Sequence, residues 1–174
     1  MMAPLKLVCP EKYILLITNK YPMKKVSMLF TLIGLMFIPM MQVQAQVKAD
    51  DILGTWLNED KDAHVEVFKK GDKYFGKIVW LKEPIDEETG KPKVDKHNPD
   101  PELKTRPTLG LLLLTDFVFE DDEWEDGDIY DPKSGKTYSC YMVFPDEDDL
   151  DNLKIRGFIG VSLLGKTTYW TRVE

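Results

Sequence analysis

Asp51-Ile52-Leu53-Gly54-Thr55-Trp56-Leu57 and, near the far end, Tyr169-Trp170-Thr171-Arg172 decide how everything between them is read. Glycine lets neighbouring groups approach closely, and Thr and Trp suit a pleated, half-buried surface. Both stretches therefore read as strands. A Gly-X-Trp on a first strand and an Arg on a last strand are what a small closed β-barrel needs where its ends meet. There a guanidinium stacked on the indole gains about 0.5–2 kcal/mol and can donate to carbonyls at the closed end. The competing reading makes Trp56 an ordinary core aromatic and Arg172 a surface charge. The short strands lying between the two stretches favour the pairing.

Upstream of this pair the sequence changes character. Met23-Lys24-Lys25 is a positive start, residues 28–41 are an almost unbroken apolar run, and Val43-Gln44-Ala45 places tolerated or small residues where a signal peptidase reads. This predicts a true start at Met23, cleavage after Ala45, and an N-terminal extension and signal peptide over residues 1–45. The run is too short and wrongly flanked for a retained membrane helix, so no stable membrane insertion is expected. Residues 46–174 then form a single domain, exported to the periplasm or secreted.

The 174-residue chain carries 23 Lys and Arg against 30 Asp and Glu, a formal charge of −7. Five of those lysines and one of the acids precede Gln46, which leaves 18 against 29, or −11, in the exported part. So acidic a chain repels phosphate backbones, which argues against nucleic acid and anionic membranes as partners. Cys9 precedes the signal and Cys140 stands alone after it, so no intramolecular disulfide can form in the mature part. Burial must hold the core, and about 130 residues suffice for that.

Along the chain, residues 63–68 alternate apolar and polar, Gly71-Asp72 turns, and residues 73–81 place Gly76, Ile78 and Trp80 on one face and Phe75, Val79 and Leu81 on the other. Residues 82–107 are rich in proline and read as one long connection of functional or mobile type. Within it Asp100-Pro101-Glu102-Leu103-Lys104 can form one helical turn, capped by Asp with Pro first. A fourth strand spans 109–119. Its Leu111-Leu112-Leu113-Leu114 implies cover on both faces, by the long loop or by a second subunit. A hairpin of 127–131 and 136–144 turns at Asp131-Pro132-Lys133-Ser134-Gly135, and strands at 152–158 and 166–173 complete about eight. The fold class is all-β.

Gly54-Thr55-Trp56, Ile78-Val79-Trp80-Leu81, Asn98-Pro99-Asp100-Pro101, Arg106-Pro107, Ile129-Tyr130-Asp131-Pro132, Gly135-Lys136-Thr137-Tyr138-Ser139-Cys140, Arg156-Gly157-Phe158 and Leu164-Gly165 with Trp170 and Arg172 follow one another in this order. As a series they resemble the bacterial exported family called domain of unknown function 2147, over essentially the whole mature chain. That resemblance implies a calycin-type barrel similar to lipocalins and fatty-acid-binding proteins: about eight antiparallel strands in a lipocalin-like barrel with one long loop. The family has no assigned activity, so it supplies no catalytic or ligand residues.

Chemistry is less legible than fold. Gly160-Val161-Ser162-Leu163-Leu164-Gly165-Lys166-Thr167 matches a phosphate-binding loop letter for letter, but such a loop needs a helix after it, and only seven residues remain, which read as strand. The acidic stretches Glu120-Asp121-Asp122-Glu123 and Asp146-Glu147-Asp148-Asp149 lack the residue order of a helix–loop–helix calcium site and read as solvated hairpin tips. His64 and His97 have no second ligand at metal spacing, Cys140 reads as a buried thiol, and no cofactor motif appears. No catalytic residue and no metal ligand is assigned.

Trp80, Tyr130, Tyr138, Tyr141, Phe158 and Tyr169 are spread over successive strands, and alternate residues of a small barrel point inward. They are the candidate lining of a ligand cavity, with Gly54, Trp56, Trp170 and Arg172 as structural residues. A filled interior is the alternative. The expectation is an exported, non-catalytic barrel that binds a small, partly apolar molecule, the long loop serving as lid or rim. The rivals are an interaction module with a filled barrel and an enzyme of unknown chemistry; a homo-oligomer is compatible with each.

Overall fold

The computed structural model describes residues 46–160 and 165–173. Eight strands, β1 Gly54–Leu57, β2 Ala63–Lys70, β3 Lys73–Leu81, β4 Leu112–Glu120, β5 Glu123–Asp131, β6 Lys136–Val143, β7 Asn152–Phe158 and β8 Gly165–Arg172, follow each other in chain order around a closed antiparallel barrel. The closing seam is short: Trp56 pairs with Arg172 and Leu57 with Thr171. The expected signal segment, residues 1–45, lies outside the described residues. So do residues 161–164 of the phosphate-loop match, and Thr167 of that match sits inside β8, where the motif needs a helix.

Period-two alternation builds the interior. Ala63, Val65 and Val67 of β2, Leu153 and Ile155 of β7, and Cys140 and Met142 of β6 are all buried. Two irregularities break the alternation and correct the reading of the sequence. In β2–β3, Val65 pairs with Ile78 but His64 with Trp80, a bulge that shifts the parity of everything beyond Ile78. Trp80 therefore turns outward, 41% exposed, while Leu81 turns toward the interior. In β3–β4, Gly76 pairs with Leu114 and Lys77 with Leu112, so Leu113 is the extra residue of a second bulge. Leu113 and Leu114 are both buried and Leu112 is left 40% exposed. The leucine run thus needs no second subunit to cover an outer face.

The barrel is sealed where β1 begins and β8 ends. A 3-10 helix, Ala49–Ile52, plugs this end, and two indoles hold it: Trp56 Nε1 donates to Ile52 O (2.9 Å) and Trp124 Nε1 to Ala49 O (3.0 Å). Phe144 fills the space between them, with ring centroids 6.1 Å from Trp56 and 5.4 Å from Trp124. The guanidinium of Arg172 lies over Trp56, 4.3 Å from the ring centroid. It donates to the carbonyls of Leu53 (2.9 Å), Asp51 (2.7 Å) and Leu150 (2.9 Å). Gly54 makes room for it. A Cβ there would stand 3.1 Å from Arg172 Nη1, on a backbone whose φ of 130° excludes other residues. Asp51 also caps the helix locally, its carboxylate accepting from Lys48 N at 2.8 Å, while the two indole bonds tie it to the barrel.

Candidate ligand-binding cavity

At the opposite end the barrel is open. The β1–β2 turn, the long β3–β4 connection and the β5–β6 turn surround a cavity of about 800 Å³. Its inner wall is apolar, with Ile78 of β3, Leu113 of β4, Ile129 of β5, Ile155 of β7 and Trp170 of β8. Ile78, Ile155 and Trp170 face inward by the alternation of their strands, Leu113 because the β3–β4 bulge turns it in beside Leu114, and Ile129 because the irregularity between Trp124 and Gly127 resets the parity of β5. Thr168, Tyr138 and Lys166 interrupt that surface with polar groups.

The long connection forms the rim. Val94, His97 and Thr108 from it line the cavity. Two isolated bridges, Ile85 to Pro92 and Val94 to Pro107, fold it into short antiparallel turns. Its single helical turn, Pro101–Leu103, is capped by Asp100, whose carboxylate accepts from Glu102 N at 2.9 Å. The anchor is Asp95, which is fully buried. Its carboxylate accepts from the Tyr130 hydroxyl (2.6 Å), Asn98 Nδ2 (2.8 Å) and Arg106 Nε (2.9 Å), and the Arg106 guanidinium also packs over the Tyr130 ring. Burial by itself would raise the Asp95 pKa. The hydrogen bonds from Tyr130, Asn98 and Arg106 together outweigh it and hold the carboxyl below its ordinary value.

A second tie joins the rim to the barrel. Gly135, in the β5–β6 turn at φ 70°, lies directly under the backbone of His97, where any Cβ would collide with the His97 carbonyl. From the same turn Lys133 reaches Asp60 (2.7 Å) and Asp62 (2.9 Å) in the β1–β2 turn. β1–β2 and β5–β6 are four strands apart around the barrel, so this ion pair spans the mouth.

Of the six aromatic residues expected to line a cavity, three do. Tyr130, Tyr138 and Phe158 line it, Tyr130 with its hydroxyl committed to Asp95. Trp80, Tyr141 and Tyr169 are on the outer wall. Trp80 stacks on His64 at 4.3 Å, Lys154 lies over Tyr141, and Tyr169 is 51% exposed beside Lys154. Their strands are right and their parity is wrong, for Trp80 because of the β2–β3 bulge and for the other two because Met142 and Trp170 take the inward positions beside them. Trp170, expected to be structural, is 5% exposed and also forms part of the cavity wall.

Asp95, Asn98, Arg106 and Lys133 were missed as site residues. Asn98 and Arg106 carried one sequence signal, membership of the motif series, Lys133 only its place in the Asp131–Gly135 turn, and Asp95 none. His64 on the outer wall and His97 on the rim belong to different surfaces. Burial pushes the Cys140 thiol up to about 12, against a weaker opposing hydrogen bond, so it is an inert core group. Among the described residues no three His, Cys, Asp or Glu are grouped to hold a metal ion, and no helix is long and apolar enough to cross a membrane.

A sequentially wound, eight-stranded antiparallel barrel, sealed at one end and hollow at the other, is a lipocalin-like fold. It matches protein HP1028 from the human pathogen Helicobacter pylori, described as belonging to the lipocalin family, with a TM-score of 0.59 and 24% identity over 74% of this chain and 84% of that one. At that identity the likeness speaks to the fold. The chain belongs to the family described as "Uncharacterized protein conserved in bacteria (DUF2147)", whose model matches residues 54–172. No curated protein sequence matches it.

Proposed function

We propose that the chain is an exported, non-catalytic barrel that binds a small, partly apolar molecule in the cavity under the long connection. The observation that carries this reading is the cavity itself. About 800 Å³ is the size of a small-molecule site, and its apolar wall with a few placed polar groups is the usual composition of one. An open interior is also what separates this reading from an interaction module built on a filled barrel. The connection acts as a rim rather than a swinging lid, since Asp95 and the Gly135 contact tie it down. Export is supported by the targeting features of residues 1–45, and N-terminal sequencing of the secreted form should find a start at Gln46; residues upstream of Met40 would refute that cleavage.

Binding is tested with the neutral fluorophore N-phenylnaphthylamine and by native mass spectrometry of protein purified from its own host. Saturable micromolar binding that disappears in Thr168→Phe, which places a ring in the cavity, supports the reading. Absence of both saturable binding and a co-purifying molecule would remove it.

A further inference from the structure

The barrel closes along only part of its last strand. β1 meets β8 at Trp56–Arg172 and Leu57–Thr171 and then turns away at Asn58, whereas β8 extends back to Gly165. On its other side β8 pairs with β7 from Asn152–Thr171 to Phe158–Gly165 without a bulge. Arg172 N donates to Asp151 O and Val173 N to Thr55 O, which fixes the alternation: even-numbered residues of β8 bond toward β7 and odd-numbered ones point away from it. Thr167 and Tyr169 therefore turn both their backbone groups to the side that β1 has left. Among the described residues nothing bonds to them there. Tyr169 is exposed, no proline or bulge blunts this edge, and Lys166 lines the cavity instead of guarding it.

Charge is distributed just as unevenly around the barrel. β4 and β5 carry Asp and Glu and no Lys or Arg. β6, β7 and β8 carry Lys136, Lys154, Arg156, Lys166 and Arg172 and no Asp or Glu. In the β7–β8 ladder Arg156 lies opposite Thr167 and Lys154 opposite Tyr169. Arg156 Nη1 donates to Thr167 Oγ1 at 2.7 Å, so the guanidinium already reaches across to the edge strand. Lys154 lies over the Tyr141 ring and has no carboxylate partner among the described residues. Across the gap, the β1–β2 turn offers one exposed charge of each sign, Glu59 and Lys61, while its Asp60 and Asp62 are paired with Lys133. The acids of the β6–β7 turn lie at the sealed end, where Asp151 pairs with Arg172.

We infer that the free edge of β8 takes an acidic polypeptide segment in extended conformation, added as a further strand beyond the β1–β2 turn. Main-chain bonds to Thr167 and Tyr169 supply the affinity, and carboxylates on the outer face of the added strand meet Arg156 and Lys154. Charge selects this occupant over a second copy of the chain, because pairing β8 with its own two-fold mate would bring two basic, acid-free walls together. The edge binds its segment whether or not the cavity holds a ligand.

Two end-blocked octapeptides test this, one alternating glutamate with valine and one alternating lysine with valine, titrated into the purified chain and followed by calorimetry and amide hydrogen exchange. The glutamate peptide should bind saturably, at least about tenfold more tightly than the lysine peptide. Exchange of the Thr167 and Tyr169 amides should slow in the complex, while that of Lys166 and Thr168, already bonded to β7, stays as it is. Methylating alternate backbone nitrogens of the glutamate peptide should weaken it at least about tenfold through the lost main-chain bonds. Thr167→Pro, at a position whose N–H faces the gap rather than β7, should do the same with the native circular dichroism kept. Lys154→Gln combined with Arg156→Gln should remove the preference for glutamate over lysine. No saturable binding at millimolar peptide, equal binding of the two peptides, indifference to methylation, or a complex that leaves the Thr167 and Tyr169 amides unprotected overturns the assignment. A chain that is dimeric on its own, with both amides already protected and with Thr167→Pro monomeric, gives the edge to a second copy and overturns the acidic partner.

Discussion

The two ends of this barrel solve opposite problems. At the sealed end, Trp56, Trp124 and Phe144 are buried, both indole N–H groups are bonded, and Arg172 gives its donors to three carbonyls. At the open end the interior is left hollow, the ion pairs are solvent-exposed, and Lys166 and Tyr138 have no partner among the described residues. Interactions that exclude water hold the fold at one end, and polar groups open to solvent surround a hollow at the other. A binding surface cannot also be the place where stability is concentrated, because its groups must be free to be satisfied by a ligand. Asp95 lies between these extremes, a fully satisfied buried network used to hold the rim of the hollow end in place.

This contrast is open to direct attack, most severely at the sealed end. Trp56→Ala should cost about 3–5 kcal/mol of stability in urea unfolding, and Arg172→Ala about 1–3 kcal/mol through orphaned carbonyls. The double variant should lose less than the sum by about 1 kcal/mol or more, since each removes the other's partner. Strictly additive losses would mean that the stack contributes nothing and the contrast between the ends is superficial.

Asp95→Asn should come next, at about 1–3 kcal/mol for the charged hydrogen bonds it weakens. Hydrogen exchange should rise in residues 82–110 while amides around Trp124 stay protected; uniform deprotection would make Asp95 part of the global core instead. The wild type should show the same effect in acid. The folded carboxyl lies below its ordinary 3.8. Its contribution is therefore whole above the unfolded pKa, near 3.9, and is lost as pH falls from about 4 through the folded value. Exchange of the rim measured across that range should rise before the barrel opens.

Gly135→Ala should cost about 1–2 kcal/mol for a left-handed backbone alone and should separate the β5–β6 turn from His97. Chemical-shift changes centred on residues 95–98 would report it, and a silent spectrum there would exclude the contact. The smallest effect belongs to Lys133→Ala. Its pairs are exposed, so stability should change by less than about 0.5 kcal/mol, yet stopped-flow probe binding should speed up once nothing spans the mouth. A large loss of stability with unchanged association would reverse the roles given to the two ends.

Much of the architecture was legible because it rests on local patterns. The alternation in 63–68 and 152–158, the Asp131-Pro132-Lys133-Ser134-Gly135 turn and the Asp100 cap with Pro101 each state a backbone preference within a few residues. The cavity lining was legible only in part. Tyr138 and Phe158 were found by strand membership, whereas Trp80 was misplaced because a single extra residue on β3, Val79, opposite the His64–Val65 step, reverses every side chain beyond it. Asp95 was not found at all, since a lone acid in a proline-rich connection looks solvated until Tyr130, 35 residues away, is folded over it.

By itself the sequence determined that the chain is all-β, that about eight strands run from a Gly-X-Trp on the first to an Arg on the last, and that Cys140, alone in residues 46–174, gives no disulfide within them. Periodicity, turn chemistry and composition are properties of neighbouring residues, and they are written in the chain directly. Only the tertiary structure decided which of two consecutive residues at each bulge faces inward, that a 3-10 helix plugs one end, and that Lys166 faces a cavity rather than a phosphate. Those outcomes depend on the register between strands and on groups brought together across the barrel, and a one-residue slip in register changes the face of every side chain that follows.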